Sequence, residues 1–404
     1  MILNMLKRLT VAVLAAVIFC ASFGMNAAGA ENSLVEKRED GRVVSAVWQD
    51  GSGNTVTGPE GWAEIRYKYG RGIVAEQYYD EDGKPVAVRG GYYRKAITRD
   101  GKNRITEIAY QNAKGDLMLN SDGYARVTFT YTSFGGVTHL RYFGTEKKKV
   151  TVPSLGYAAI ETEYSGKSVV TRTWVNEDNQ PVDNHQGFAA MKQKLNKNYQ
   201  PIRTWYEHAD GSPATGPDGW SRCERERDKK GRVTSVKYYD ADGKMTDRGA
   251  GYAWEEIRYD GDDEMVTRYN LDGQIAPISD KAVTIRYRMK DDRVTAESYL
   301  SVDGGLTEGP LGVCTIAYEY DFDGRIEKVY YQNASGEKVL CSLGYAGYRE
   351  TRDADGAVIS RTYLGTDGKA MQIPGGYAEE RYIYNSIKEL TGTRRYDLNG
   401  NIVP

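Results

Sequence analysis

One stretch of sequence decides the fold: Gly231–Asp260, which reads GRVTSVKYYDADGKMTDRGAGYAWEEIRYD. It begins with Arg232–Tyr239, a run rich in β-branched and aromatic residues that is typical of a strand. A turn follows at Asp240–Lys244, where Asp can bond nearby backbone N–H groups and Gly tolerates a positive φ. After a short link, a Gly-Tyr-Ala step leads into a second β-rich run that ends in Tyr-Asp. The stretch therefore predicts two strands joined by a turn and a link.

The same stretch recurs along most of the chain. Its marker is a glycine followed by an aromatic or apolar residue ahead of a β-rich run. Successive markers are 30 to 33 residues apart, except for one gap of 61 residues that holds a degraded unit at Ala282-Val283. A period of about 31 residues predicts nearly twelve tandem units, the last of which stops halfway, at Pro404. The markers are Gly61-Trp62, Gly91-Tyr92, Gly123-Tyr124, Gly156-Tyr157, Gly187-Phe188, Gly219-Trp220, Gly251-Tyr252, Gly312-Val313, Gly344-Tyr345 and Gly376-Tyr377.

The run after each marker alternates between apolar and polar residues. In residues 124–131 the apolar positions are Ala125, Val127, Phe129 and Tyr131. A period of two over eight residues predicts a strand with one face buried. The same register places Cys314 in the alanine column and Cys223 in the valine column, so both thiols are expected to be buried.

The other run of each unit changes face once. Val233, Val236 and Tyr238 are separated by a step of three and then a step of two, which indicates either a β-bulge or partial cover on both faces. Because one unit cannot bury its apolar face alone, the units must stack on their neighbours. The sequence thus predicts an all-β fold, in which antiparallel strand pairs stack into one elongated, solenoid-like or coiled sheet.

The N-terminal 30 residues have the features of a secretory signal peptide. Lys7 and Arg8 form a basic start, Val11–Phe23 is an apolar run, and Ala28-Gly29-Ala30 is a small-residue cleavage site. The apolar run is shorter than a membrane span requires. We therefore expect a secreted or cell-surface protein with no membrane insertion after signal cleavage. Residues 31–40 are expected to form a polar leader, and residues 41–404 a single repeat array.

Charge and cysteine content exclude several classes of protein. Without Lys7 and Arg8 the chain has 52 basic and 56 acidic side chains, a net charge near −4, so no basic excess draws it to nucleic acid. Three cysteines follow the signal peptide, an odd and sparse set that does not suggest a disulfide framework. We expect the cysteines to be small buried hydrophobic residues, and a Cys314–Cys341 disulfide is the alternative.

One segment carries a family resemblance. Residues 318–326, Tyr-Glu-Tyr-Asp-Phe-Asp-Gly-Arg-Ile, resemble the core of the bacterial YD repeat of Rhs-type surface proteins, with degraded copies at residues 67–72, 131–135 and 382–385. The resemblance covers residues 41–404 and implies an exported all-β array. Each unit here is longer than that repeat. The array is also too short to enclose a cargo domain, which argues against a toxin-shell role.

No catalytic, metal or cofactor site is predicted. The recurrent Asp-x-Asp-Gly turns are expected to be solvated turns rather than calcium loops, since no further carboxylate recurs at a fixed offset. His139, His185 and His208 fall at different positions of different units, so stacking would not bring them together. With only three His residues no nucleophilic triad can be assembled, and the 56 acidic residues leave a glycosidase-like carboxylate pair as a third functional hypothesis.

The aromatic marker column is the candidate binding surface. By strand parity its rings point away from the alternating apolar face, as does the ring of Trp254. Exposed rings spaced along a stack could hold the flat faces of a polysaccharide. The first functional hypothesis is therefore a non-catalytic exported protein that binds a cell-wall or host glycan, and the alternative is a structural or adhesive spacer with protein partners, its rings packed between units. The predicted ligand-binding residues are Trp62, Tyr92, Tyr124, Tyr157, Trp220, Tyr252, Trp254 and Tyr377.

Overall fold

The structure is a computed structural model that describes residues 33–58, 61–352, 356–384 and 390–403. The predicted signal peptide, residues 1–30, lies outside the described residues. Strands, turns and short links make up the described chain, which has no helix, as the sequence predicts. Accordingly, no described helix is long and apolar enough to cross a bilayer. The chain divides into two compact units between Ala253 and Trp254.

The first unit contains fifteen strands, each antiparallel to its neighbours in the sheet. They are β1 (Ser33–Glu39), β2 (Arg42–Gln49), β3 (Glu64–Tyr69), β4 (Ile73–Tyr79), β5 (Arg94–Arg99), β6 (Ile105–Gln111), β7 (Arg126–Tyr131), β8 (Val137–Phe143), β9 (Ala159–Ser165), β10 (Ser168–Val175), β11 (Ala190–Leu195), β12 (Pro201–Glu207), β13 (Pro213–Ala214), β14 (Arg222–Arg227) and β15 (Val233–Tyr239).

The second unit continues the pattern with eleven strands, again paired antiparallel with their neighbours. They are β16 (Trp254–Asp260), β17 (Asp263–Tyr269), β18 (Thr284–Lys290), β19 (Arg293–Leu300), β20 (Thr315–Tyr320), β21 (Ile326–Gln332), β22 (Gly347–Arg352), β23 (Val358–Leu364), β24 (Glu379–Tyr384), β25 (Leu390–Tyr396) and β26 (Ile402–Val403).

Within each unit, a repeat is a hairpin that pairs with the neighbouring hairpins of that unit. In the hairpin β7–β8, Val127 lies opposite Tyr142, and the register shifts once at Thr130/Tyr131. An equivalent shift occurs near the end of most first strands, for example at Lys68/Tyr69 and Glu319/Tyr320. These shifts are the β-bulges that the change of face in the second run predicts.

The link after each hairpin is also extended. Pro85 forms an isolated bridge with Tyr79, and the Val86 N–H donates to the Tyr78 carbonyl over 3.0 Å. The turn between them is closed by Asp80, whose Oδ1 accepts from the N–H groups of Asp82 and Lys84 at 3.0 and 2.8 Å. The turn and link chemistry predicted from Asp-x-Asp-Gly is thus confirmed.

Residues 33–39, which belong to the segment expected to be a leader, take part in the sheet. Ser33–Glu39 form β1, which pairs with β2 from Ser33↔Gln49 to Glu39↔Arg42. The polar side chains of this segment do not prevent pairing, since an edge strand needs only one neighbour and charged residues are common on sheet edges.

The two faces of each sheet differ as the alternation predicts. We call the face that carries Ile65 and Val127 the inner face, and the face that carries Arg66 and Thr128 the outer face. Ile65 and Val127 are 6% and 5% exposed, and the alanines that precede them, Ala63 and Ala125, are fully buried. The apolar positions of the first strands therefore form the core, as expected.

Hydroxyl groups at the ends of the first strands tie successive hairpins together. The Tyr69 hydroxyl donates to the Val43 carbonyl at 2.8 Å, and the Tyr131 hydroxyl donates to the Ile105 carbonyl at 2.6 Å. In the hairpin β14–β15, Arg227 replaces the tyrosine and donates to the carbonyl of Pro201. Each bond spans 26 residues, so it fixes one repeat against the repeat before it.

Candidate functional site

The aromatic marker column does not face outward, and that prediction is wrong. Trp62, Tyr92, Trp220 and Tyr252 are only 3% to 9% exposed. Tyr124, Tyr157 and Tyr377 are half-buried. Their rings lie beside inner-face rings from the ends of the second strands, such as Tyr78 and Tyr142. The marker rings therefore pack between repeats, as the alternative hypothesis for this column states.

The parity argument fails because the marker residues precede the strands. Strand β3 begins at Glu64, two residues after Trp62. The Gly58 N–H donates to the Trp62 carbonyl, and Gly61 has a φ of 83°, so the backbone turns between marker and strand. A strand's two-residue period holds only where the backbone is extended. The turn rotates the ring onto the inner face.

The rings form a nearly continuous row through the first unit. Consecutive ring centroids are 4.7 to 6.3 Å apart, in tilted or edge-on arrangements, which is the favoured range for aromatic pairs. We call this row the aromatic row. From Trp48 to Tyr157 it contains Trp48, Trp62, Tyr78, Tyr92, Tyr110, Tyr124, Tyr142 and Tyr157. It resumes with Trp174, Phe188, Tyr206, Trp220, Tyr238 and Tyr252.

The phenol groups of the aromatic row stay protonated. Burial raises the pKa of Tyr78 and Tyr110 well above the usual range, because removing the phenolate from water is unfavourable. In the second unit a shorter row joins Tyr331, Tyr345, Tyr363 and Tyr377. The row is thus a packed core element of both units.

Trp254 is the exception among the predicted ring residues. It begins β16 on the outer face and is half-buried. Its ring stacks on that of Tyr269 at 3.8 Å with an interplanar angle of 6°. One of its two faces is therefore covered by a neighbour in the same hairpin.

Arginines stack on aromatic rings across the outer face. The guanidinium of Arg66 lies 3.8 Å from the ring centroid of Tyr79, and Arg222 lies 4.2 Å from that of Tyr239. Arg126 over Phe143 and, in the second unit, Arg381 over Tyr396 repeat the arrangement. Cation–π contact of this kind holds each guanidinium in place at the surface. We call these pairs the outer-face stacks.

All three described cysteines are free and buried. Cys223 is fully buried, and Cys314 and Cys341 are 7% and 5% exposed. Burial raises the pKa of the Cys223 and Cys314 thiols, which disfavours the reactive thiolate. The expectation of small buried hydrophobes is confirmed, and the alternative Cys314–Cys341 bridge is not formed.

This burial predicts the labelling behaviour of the thiols. We expect a maleimide reagent to modify Cys223, Cys314 and Cys341 slowly in the native protein and completely in denaturant, because each thiol must be exposed to react. Mass spectrometry of timed samples measures the rate for each residue. Rapid native labelling of Cys223 would contradict its placement in the core.

In the described ranges, the acidic turns and the histidines lie in separate places. Turn carboxylates accept backbone N–H groups, and asparagine does the same at Asn112, whose Oδ1 accepts from Lys114 and Asp116. The Nδ1 atom of His208 forms a hydrogen bond with Asp183 Oδ2 at 2.6 Å. His139 lies in another repeat, where burial lowers the pKa of its imidazole. Among the described residues no group of three His, Cys, Asp or Glu side chains is placed to hold a metal ion.

Sequence reasoning missed a polar segment on the inner face of β9–β14. It could have been found as a break in the apolar columns. Where other repeats have Ile97 and Phe129, these strands have Thr162, Gln193 and Arg225. Four residues of this region are deeply buried: Cys223 at 0%, Thr204 at 1%, and Thr162 and Arg225 at 8% exposure. We call the following residues the polar segment: Thr162, Arg172, Gln193, Thr204, Cys223 and Arg225.

A shallow cavity lies on the opposite, outer face of β11–β15. Its volume is about 230 Å³, and its charged lining includes Lys194, Arg203, Glu224 and Lys237. Arg203 and Lys237 are paired with Glu224 and Glu226 at 2.8 and 3.2 Å. The depression is therefore a polar surface in which most charges are already matched.

Comparisons with known proteins give low similarity. No family model matches the chain, and no curated protein matches it. The crystal structure of TcdB2-TccC3-Cdc42 is 13% identical with a TM-score of 0.30, and the match covers 90% of this chain and 17% of that chain. The Photorhabdus luminescens Tc holotoxin pore is 10% identical with a TM-score of 0.25, and the match covers 93% of this chain and 22% of that chain.

The chain thus spans less than a quarter of the length of these Tc toxin components. A third structure, of TcdB2-TccC3-TEV, is 11% identical over 99% of this chain, with a TM-score of 0.23. Likeness at this level carries no argument about activity.

Proposed function

We propose that this chain is an exported, non-catalytic repeat scaffold of the YD type that binds protein partners through its outer face. The outer-face stacks carry the proposal. Each presents a guanidinium and a ring in a fixed arrangement, and arginine and aromatic side chains are the residues most enriched at the energetic centres of protein interfaces. The signal-like N-terminal sequence supports export, and the repeat at residues 318–326 supports the YD type.

Burial of the aromatic row favours this function over glycan binding. A sugar needs an open ring face, whereas the marker rings Trp62 and Tyr92 both pack against the ring of Tyr78. The outer face is broad, and its charges alternate, as in Glu64 beside Arg66, whose side chains pair at 2.6 Å. Such a charged face suits a protein partner better than a small ligand, because a small ligand requires a concave, mostly apolar pocket and the depression on β11–β15 is lined by paired charges.

A charge-reversal experiment tests the proposal. Partners are first identified by cross-linking the purified full chain to proteins exported by the producing cell, and each is then purified for direct affinity measurement. The variant R66E/R126E/R222E is expected to bind at least about tenfold more weakly, because it removes three outer-face stacks. The control K114E/K147E/K229E makes the same charge change at exposed turn lysines.

The measured affinities are interpreted together with the folding of each variant, and they also distinguish the other functional hypotheses. Melting curves must show that both triple variants are folded. Equal loss of affinity in the two variants would assign binding to net charge and reject the outer-face stacks. Binding of purified wall polymer with no protein partner would restore the glycan hypothesis. Hydrolysis of that polymer, abolished by a single Asp or Glu substitution, would reject the non-catalytic role.

A further inference from the structure

Six hairpins of the first unit, from β3–β4 to β14–β15, turn at the same edge of the sheet. Their first strands all run in one direction, because each hairpin pairs antiparallel with the next. The turns inside the hairpins therefore leave the sheet on one side, and the turns that precede the links leave it on the other. We call the turns inside these hairpins the hairpin tips: residues 70–72, 100–104, 132–136, 166–167, 196–200 and 228–232.

Direct contacts join each hairpin tip to the next. Arg71 Nη1 donates to the Gly101 carbonyl at 2.6 Å, and Lys102 Nζ donates to the Ser133 carbonyl at 3.0 Å. The tips thus form one continuous edge, which we call the tip edge. Its remaining contacts are the ring of Phe134 at 5.3 Å from that of Tyr164, Ser168 Oγ donating to the Tyr199 carbonyl at 2.7 Å, and Gln200 Nε2 donating to the Gly231 carbonyl at 3.2 Å.

The tip edge carries a concentrated positive charge. Its residues include eight basic and two acidic side chains, a net charge of +6, although the chain after the signal-like segment is near −4. Both carboxylates are paired within their own turn, Asp100 with Arg104 at 2.6 Å and Asp228 with Arg232 at 2.7 Å. The other six cations are exposed, and they are Arg71, Lys102, Lys167, Lys197, Lys229 and Lys230.

Equivalent turns elsewhere in the chain have the opposite charge. In the second unit, residues 261–262, 291–292 and 321–325 contain five aspartates and one arginine, a net charge of −4. The turn of the first hairpin, residues 40–41, contains one aspartate and no cation. A basic turn is therefore not a requirement of this hairpin, and the charge of the tip edge needs another explanation.

Two partly exposed rings lie among these cations. Phe134 is 42% exposed and Tyr199 is 54% exposed. Phe134 packs edge-on against Tyr164, and the ring of Tyr199 lies so close to Gly166 that a Cβ atom there would meet it at 3.2 Å. Each ring is thus held at the edge with much of its surface in water. Lysines with aliphatic stems beside aromatic rings are the composition that favours the interface of a lipid bilayer.

We propose that the tip edge binds the surface of an anionic lipid bilayer. Each Lys or Arg close to such a surface strengthens binding about fivefold, so six exposed cations supply a strong attraction. The tips are convex turns, which an extended surface contacts together, whereas a linear polymer is usually held in a groove. The cavity on β11–β15 is lined by strand residues rather than by tips. This inference goes beyond the scaffold function and does not use the outer-face stacks.

Co-sedimentation with lipid vesicles tests the proposal. The chain from Glu31 onwards is used, so that the apolar run at residues 11–23 makes no contribution. It should sediment with vesicles of equal parts phosphatidylglycerol and phosphatidylcholine, and stay in solution with phosphatidylcholine alone. The variant K167E/K197E/K230E should bind the anionic vesicles at least about 100-fold more weakly, because it reverses exposed cations in three consecutive tips.

A matched control makes the same charge change at the opposite edge of the first unit. K114E/K147E/K244E replaces three exposed lysines in the turns that precede the links. Strands of six or seven residues separate the two edges by about 20 Å, which exceeds the screening length of about 8 Å at physiological ionic strength. This control should therefore bind like wild type. An equal loss of binding in both triple variants would reduce the effect to net charge and overturn the proposal.

The two rings distinguish a bilayer from other anionic surfaces. High ionic strength screens the lysines but does not weaken burial of Phe134 and Tyr199 in the interface. The binding that wild type retains at high ionic strength should therefore fall about tenfold in F134A/Y199A. Equal binding of F134A/Y199A and wild type under those conditions would show that the rings do not enter a bilayer, and would overturn the proposal.

Long-chain polyphosphate is the competing ligand class. Binding of polyphosphate that depends on Lys167, Lys197 and Lys230, without sedimentation on anionic vesicles, would overturn the proposal and assign the tip edge to a linear polyanion. Equal sedimentation of wild type and K167E/K197E/K230E would overturn it as well. Melting curves must show that each variant is folded, and K167E and K230E are measured singly if the triple variant is not. None of these outcomes bears on partner binding by the outer-face stacks.

Discussion

Replacing Val127 by aspartate is expected to lower the free energy of unfolding by about 4 kcal/mol, because it places an unpaired charge on the buried inner face. Val127 is 5% exposed and lies opposite Ile108 and Tyr142. No cation lies opposite it in either neighbouring strand. Chemical denaturation of the full chain, followed by tyrosine and tryptophan fluorescence, measures the loss.

The adjacent residue provides a matched control. Thr128 faces the outer side, between Glu107 and Arg141, and is half-buried. Thr128→Asp adds the same charge where water and Arg141 can compensate it, so we expect a change of about 0.5 kcal/mol. Equal losses for the two variants would show that the assignment of inner and outer faces is wrong.

Replacing Trp220 by alanine is expected to cost about 3–5 kcal/mol, the usual range for deleting a large buried ring. The Trp220 ring lies 5.0 Å from that of Tyr206 and 6.3 Å from that of Tyr238. Its removal opens a cavity within the aromatic row. For a unit of this size the loss corresponds to a fall in melting temperature of about 10 °C.

An exposed ring of the same unit is the control for Trp220. Tyr199 is 54% exposed, and Tyr199→Ala is expected to change the free energy of unfolding by less than about 1 kcal/mol. Binding of any partner by Trp220→Ala should follow its stability alone. A stable Trp220→Ala variant that lost polymer binding would instead favour the ligand-platform hypothesis.

Local rules predicted the strands and turns but not the place of the marker rings. The alternation around Val127 and the acid-glycine turns are set by neighbouring residues, so they can be read from short segments. Trp62 precedes its strand by a turn, and the direction of its side chain depends on the dihedral angles of Gly61. Those angles are not encoded in a two-residue period, so extending strand parity across the turn gave the wrong face.

The polar segment was missed for a different reason. Arg172 and Arg225 are 53 positions apart in sequence, and each taken alone is an unremarkable surface-type residue. Only the pairing of β10, β11, β12 and β14 places both of them on the inner face of the sheet. An alignment of all repeat units by column would have shown that apolar residues are lost at Thr162, Gln193 and Arg225. The pattern within a single unit does not show this loss.

The pairing of each hairpin only with its neighbours has a mechanical consequence. In the first unit every strand contacts only the strands next to it in the sheet. A force perpendicular to the strands pulls neighbouring hairpins apart and loads the hydrogen bonds between two strands one after another, so they break in sequence. A force along the strands loads all the bonds of a pair together. Tension from a bound partner would thus be resisted far better along the strands than across them.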